Sequence, residues 1–219
     1  MPFLDSWTQL SPPDLIRWLL PLGFMAVLVL MPGRRIARLA ALGTGIALYA
    51  VPEILTPTPL RLVWAAVWAA VAWGVTSAPA PRRGAVLSRR IGLVESGSVG
   101  FLLGVALLAL LLVAIARQNL PDDPARRATY GIVVLCLGLL HLMLRRHTVR
   151  AAIALAMLGL GLQIVERVAH ESLVAASLAP GYGIVLATAL TCALAVRIGH
   201  TRERVATSPW VGDAHDLHD

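Results

Sequence analysis

About seven times along this chain a run of roughly 16 to 21 mostly apolar residues recurs, near the ~20 that a helix rising 1.5 Å per residue needs to cross the hydrocarbon of a bilayer. The runs occupy 15–31, 36–55, 60–77, 97–116, 129–144, 149–169 and 181–199. They lack the alternation of barrel strands, and an open sheet edge in lipid would leave backbone groups unpaired, so helices are the expected spanning form. The expected fold class is therefore all-α, a polytopic membrane protein with about seven transmembrane helices. Composition agrees: 58% of the 219 residues are hydrophobic and 14% are charged, with a mean hydropathy of +0.75, far from the balance of a soluble domain.

The formal charge of +7 raises the question of nucleic acid. The basic residues, all arginine and none lysine, bracket the apolar runs and form no patch interleaved with aromatics, so no nucleic-acid partner is expected. Cys136 and Cys192 each lie inside an apolar run, far from any CxxC or Cys/His ligand spacing, and read as small buried hydrophobes. The first fourteen residues contain Asp5 and the pair Pro12, Pro13 but no basic cluster, so the first run is expected to stay in the mature protein.

Arginine sets the expected orientation. Arg34, Arg35 and Arg38, then Arg82, Arg83, Arg89 and Arg90, then Arg145, Arg146 and Arg150, and finally Arg197, Arg202 and Arg204 fall in every second connection. By the positive-inside rule those connections are cytoplasmic. The alternate loops hold Glu53, the Asp122 and Asp123 pair and Glu171. The chain thus reads as a multi-pass protein of the cytoplasmic (inner) membrane, amino end outside and carboxyl end cytoplasmic. The proline- and arginine-rich loop 78–96 divides a three-helix part, 1–77, from a four-helix part, 97–200, and a polar tail, 201–219, follows. Asp213, His215, Asp216, His218 and Asp219 in that tail fix no coordination geometry and read as a frayed or partner-bound end.

No nucleophile elbow, phosphate loop, haem-ligand pair or cysteine cluster is present, so no catalytic, cofactor-binding or metal-ligating set is expected. Ionisable groups inside the runs remain, because a charge at bilayer depth costs about 2.5–3.5 kcal/mol on insertion scales and usually faces protein or water. Glu166, in LQIVERVAH with Gln163 one turn before it and Arg167 beside it, is a candidate proton-exchanging carboxylate or else an interfacial residue near its helix end. His141, in the last turn of the fifth run, is a candidate proton relay or a polar helix-end group beside Arg145 and Arg146. Glu95 and Glu53 read as helix-end residues. Ser96, Gly100 and Gly104 repeat at four-residue spacing and mark close helix packing, within the chain or with a partner. Trp64 and Trp68 share one face of the third run, with Trp73 beyond them, and lipid or subunit packing accounts for all three.

The segment GIVVLCLGLLHLMLRRHTVRAAIALAMLGLGLQIV, 131–165, resembles the paired helices with a short basic turn of membrane subunits related to complex I subunit K. With GIVLATALTCALAVRIGHTRE, 183–203, and the three helices ahead of the arginine-rich loop, the whole chain resembles hydrogenase-4 component E. That resemblance implies a cofactor-free membrane subunit of a complex-I-like, ion-translocating hydrogenase or related oxidoreductase complex. Its partners would be antiporter-like membrane subunits and hydrophilic redox subunits, besides the lipid bilayer. In the resembling subunits a glutamate followed by Asn-Gly lies in the sixth span, whereas the matching stretch here reads Gly159, Leu160, Gly161. Glu166, almost two turns on and about 10 Å further outward, is either a displaced proton site or unrelated to one, leaving a scaffold. The alternatives are a stand-alone small-solute or ion transporter, which calls for a midplane polar site, and, behind it, a lipid-modifying enzyme, for which His147 is the only imidazole near the arginine-rich loops.

Overall fold

A computed structural model of the chain describes residues 11–30, 34–55, 57–76, 122–144, 148–171 and 179–205. Among these residues the fold is all-helical, with α1 Pro12–Leu30, α2 Arg34–Ala50, α3 Thr58–Thr76, α4 Asp122–Leu144, α5 Thr148–Glu171 and α6 Ala179–Val205. Five of the six are long and apolar enough to cross a membrane, and α2, 17 residues long with arginines in its first turns, is the exception. The expected span 97–116, with Gly100 and Gly104, lies outside the described residues, as do Glu95, Ser96, His147 and the tail beyond 205.

Local chemistry explains where the helices begin and end. Ser11 caps α1: its hydroxyl accepts from the Asp14 amide at 3.4 Å and donates to the Asp14 carboxylate, with Pro12 and Pro13 filling positions that need no amide hydrogen. The second span was expected to run to Leu55 but α2 ends at Ala50, because Pro52 disfavours helix in the residue before it. Val51–Leu55 instead forms a turn whose Val51, Ile54 and Leu55 are buried. The start of α4 also differs from the expected 129. Asp122 and Asp123, read as loop residues, open the helix, where acids complement the dipole and Pro124 lacks only an amide hydrogen that has no helical partner.

α1, α3, α4 and α6 run from one end of the bundle to the other, and α2 and α5 run back. Asp14 near the start of α1, Glu53 after α2, and Asp123 and Arg126 in the first turns of α4 line one cleft, so these points share one end of the bundle. At the opposite end, the His200 Nε2–H near the close of α6 donates to the Gly74 carbonyl near the close of α3 at 3.1 Å. Arg35, Arg38, Arg150, Arg197 and Arg202 belong to this second, arginine-rich end. α5 is the central helix, packing on α3, α4 and α6, while α1 rests on α2 and α4.

One apolar core runs through all six helices. Trp64 and Trp68 are wholly buried in it, which corrects the expectation that they face lipid or a subunit. Their shared face meets α2, where Gly45 lets the backbones approach. Trp73, off that face, is 67% exposed under the Arg38 guanidinium, 5.4 Å from its ring centre. The outer surface is itself apolar: Ile16, Leu39, Ile46, Leu186, Leu190 and Ile198 are each largely exposed. A bundle apolar inside and outside, with charge at its two ends, belongs in lipid.

Candidate functional site

The helical repeat of α5 places Gln163, Glu166 and His170 on one face at its acidic end. Gln163 is fully buried, and its Nε2 donates to Glu166 Oε2 at 3.2 Å. The Glu166 side chain is 12% exposed, and His170, 39% exposed, sets Nδ1 3.4 Å from Glu166 Oε1. The same Nδ1 lies 3.0 Å from the Glu166 carbonyl, a contact in which it must carry the hydrogen. The three groups form a graded series from a dry amide, through a carboxylate, to a wetted imidazole. A carboxylate and an imidazole at this spacing can exchange a proton directly or through water at the acidic end of the bundle. Sequence reasoning found Glu166 and Gln163 but missed His170, whose signal was its spacing of four from Glu166.

Gly181 lets the start of α6 approach this series, since a Cβ there would lie 2.9 Å from Gln163 Nε2. Gln163 Oε1 is buried with no hydrogen-bond partner among the described residues. Such a group costs about 1–3 kcal/mol, so the position is held by packing and not by a complete polar network.

His141 lies in the last turn of α4, where it was expected, and its side chain is wholly buried. Gly131 faces Ile164 and Val165, and Gly138 faces Ala154 and Leu158, so His141 is level with the first turns of α5. That depth is about 20 Å from Glu166 at the helical rise of 1.5 Å per residue. The fold does not bring the two candidates together. Between their levels α5 buries Leu160, Met157, Ala156 and Ile153, all apolar.

Gly159, where the resemblance leads one to expect a glutamate, lies at the tightest contact of α5 with α6. A Cβ there would fall 2.0 Å from Thr188 Oγ1 and 2.7 Å from Thr188 Cβ. The Thr188 hydroxyl donates to the Ile184 carbonyl at 2.7 Å, within its own helix. No side chain fits at 159 in this packing, so a carboxylate there is excluded by shape as well as by sequence.

The acidic end also holds a cleft of about 230 Å³ lined by Asp14, Arg17, Trp18, Glu53, Asp123, Arg126 and Arg127. Arg17 pairs with Asp14 at 3.5 Å and Arg126 pairs with Asp123. These pairs reach solvent and add little stability. Both cysteines are free: Cys192 is buried with its thiol directed at the Ala152 carbonyl, 3.3 Å away, and Cys136 is half-buried. Among the described residues no three His, Cys, Asp or Glu side chains converge as metal ligands. No family model, curated protein or solved structure matches the chain.

Proposed function

We propose that this chain is a seven-span, cofactor-free subunit in the membrane arm of a complex-I-like, ion-translocating hydrogenase or related oxidoreductase complex, where it acts as a scaffold for larger antiporter-like subunits. The resemblance of α4, the RRHTVR segment and α5 to subunit K-like helix pairs supports the family reading. The count of seven is supported by chain direction. Thr76 ends α3 at the arginine-rich end and Asp122 opens α4 at the other, and the apolar run 97–116 lies between them in the sequence. The arginine-rich end is the cytoplasmic one by the positive-inside rule, with the amino end outside, in the inner membrane.

The observation that carries the scaffold role is the apolar, closely packed interior of α5 between Gln163 and the level of His141. A conducting subunit needs polar groups or water along that stretch. The outward-opening Gln163–Glu166–His170 series favours a second reading, a small-solute or ion transporter working alone.

Purification in mild detergent through a tag on the carboxyl tail separates the two readings. Mass spectrometry of the eluate is expected to find antiporter-like membrane subunits together with iron–sulfur or nickel–iron proteins. A stable preparation of this chain alone would contradict the subunit role and leave the transporter.

A further inference from the structure

Between α3 and α6 lies a cleft of about 470 Å³, walled by Val63, Ala66, Ala70 and Gly74 on one side and by Ala189 and Ala193 on the other, with Arg197 at one end. The small side chains make the hollow, and Ala66, Ala70 and Ala193 are exposed, so it opens sideways into the membrane. From Val63 to Gly74 the wall is about 16 Å long at 1.5 Å per residue, a narrow apolar slot that suits a hydrocarbon chain.

Charge selects among hydrocarbon ligands. Arg197 is exposed at the arginine-rich mouth of the cleft and makes no ion pair with a described residue. The Arg197 guanidinium at the mouth of an apolar slot between transmembrane helices is suited to a phosphate head group above an acyl tail. We infer that the α3–α6 cleft binds one acyl chain of an anionic phospholipid, with its phosphate on Arg197.

The full chain, reconstituted in nanodiscs of phosphatidylcholine with a minor share of phosphatidylglycerol, tests this when the lipid retained after transfer to mild detergent is quantified. Phosphatidylglycerol is expected to be enriched over its bulk share by about five-fold, the equivalent of ~1 kcal/mol for one arginine near the surface. Arg197→Gln, at an exposed position, abolishes the enrichment, and Ala70→Leu with Ala193→Leu, which fills the slot from both walls, abolishes retention. Absence of enrichment overturns the site, and so does enrichment that survives either variant. A disulfide forming between Ala193→Cys and Gly100→Cys or Gly104→Cys would mean that the chain's own apolar run occupies the cleft, which overturns it as well.

Discussion

Replacing Gly161 with alanine lowers the stability of the bundle by about 2 kcal/mol, where the same change at an unencumbered helical glycine raises it slightly. A Cβ at 161 would meet the Gly131 carbonyl oxygen at 2.7 Å, the Leu135 nitrogen at 2.8 Å and Leu135 Cγ at 2.6 Å. Two of those three atoms are backbone, so relief requires α4 to move away from α5. Overpacking of this kind costs about 1–3 kcal/mol, against about 0.5–1 kcal/mol gained by replacing glycine in a helix. The clash wins because no side chain can rotate out of its way. Gly159→Ala is expected to behave similarly, and Thr188→Gly should rescue it where Thr188→Ala does not, since Thr188 Cβ is itself only 2.7 Å away. Gly183→Ala, with open space around it, is the control and is expected to raise stability slightly. Equilibrium unfolding in mixed micelles titrated with dodecyl sulfate measures all five, and a harmless Gly161→Ala would mean that α4 and α5 are not packed as described.

Trp64→Ala and Trp68→Ala are expected to cost more, about 3 kcal/mol each, the lower end of the range for removing a buried aromatic. The lower end applies because an unfolded chain still in lipid keeps its tryptophans in an apolar medium, so the transfer term drops out and the cavity term remains. Both indole N–H groups are buried without a hydrogen-bond partner among the described residues. Trp→Phe at either position therefore removes an unsatisfied donor along with some volume and should cost clearly less than Trp→Ala. Trp73→Ala loses a contact with Arg38 worth about 0.5–1 kcal/mol at an exposed site and leaves no buried cavity. Thermal unfolding of the three alanine variants in one detergent gives the ranking, and a Trp73 effect as large as that of Trp64 would contradict the packing.

The helices were legible in the sequence because lipid imposes a length and an apolar content that few other structures share. Their ends were less so. Asp122 and Asp123 look like loop residues by polarity, and only the capping role of acids and Pro124 places them in α4. Pro52, by contrast, was a visible stop for α2 that hydropathy overrode, since the residues after it are apolar and bury themselves in the turn. Which face of a helix meets protein and which meets lipid was hidden, because both environments select the same side chains; Trp64 and Trp68 could not be told from Trp73 on that ground. Of the candidate site, Glu166 was legible as a rare charge near an apolar run. The depth of His141 was not, since it depends on how α4 and α5 slide past one another, and that register is set by the glycine contacts at 131, 138 and 161.

Those contacts are why the centre of the bundle reads as structural. Gly159 and Gly161 bring α6 and α4 against opposite sides of α5 within one turn, which leaves no room for water within either of those two helix contacts. The polar series lies beyond them, toward the acidic end.

Ion translocation by inner-membrane vesicles from cells whose only copy of the chain carries Glu166→Gln tests the scaffold role most directly, read alongside copurification of the partner subunits. Removing the carboxylate leaves a hydrogen-bonding amide of the same shape beside Gln163 and His170, so the fold is retained. As a scaffold, the chain carrying Glu166→Gln still copurifies with its proposed partners, and substrate-driven ion uptake stays at the wild-type level. An assembled complex whose redox activity persists while its ion uptake collapses would contradict the scaffold role, and would make Glu166 part of the conducting path.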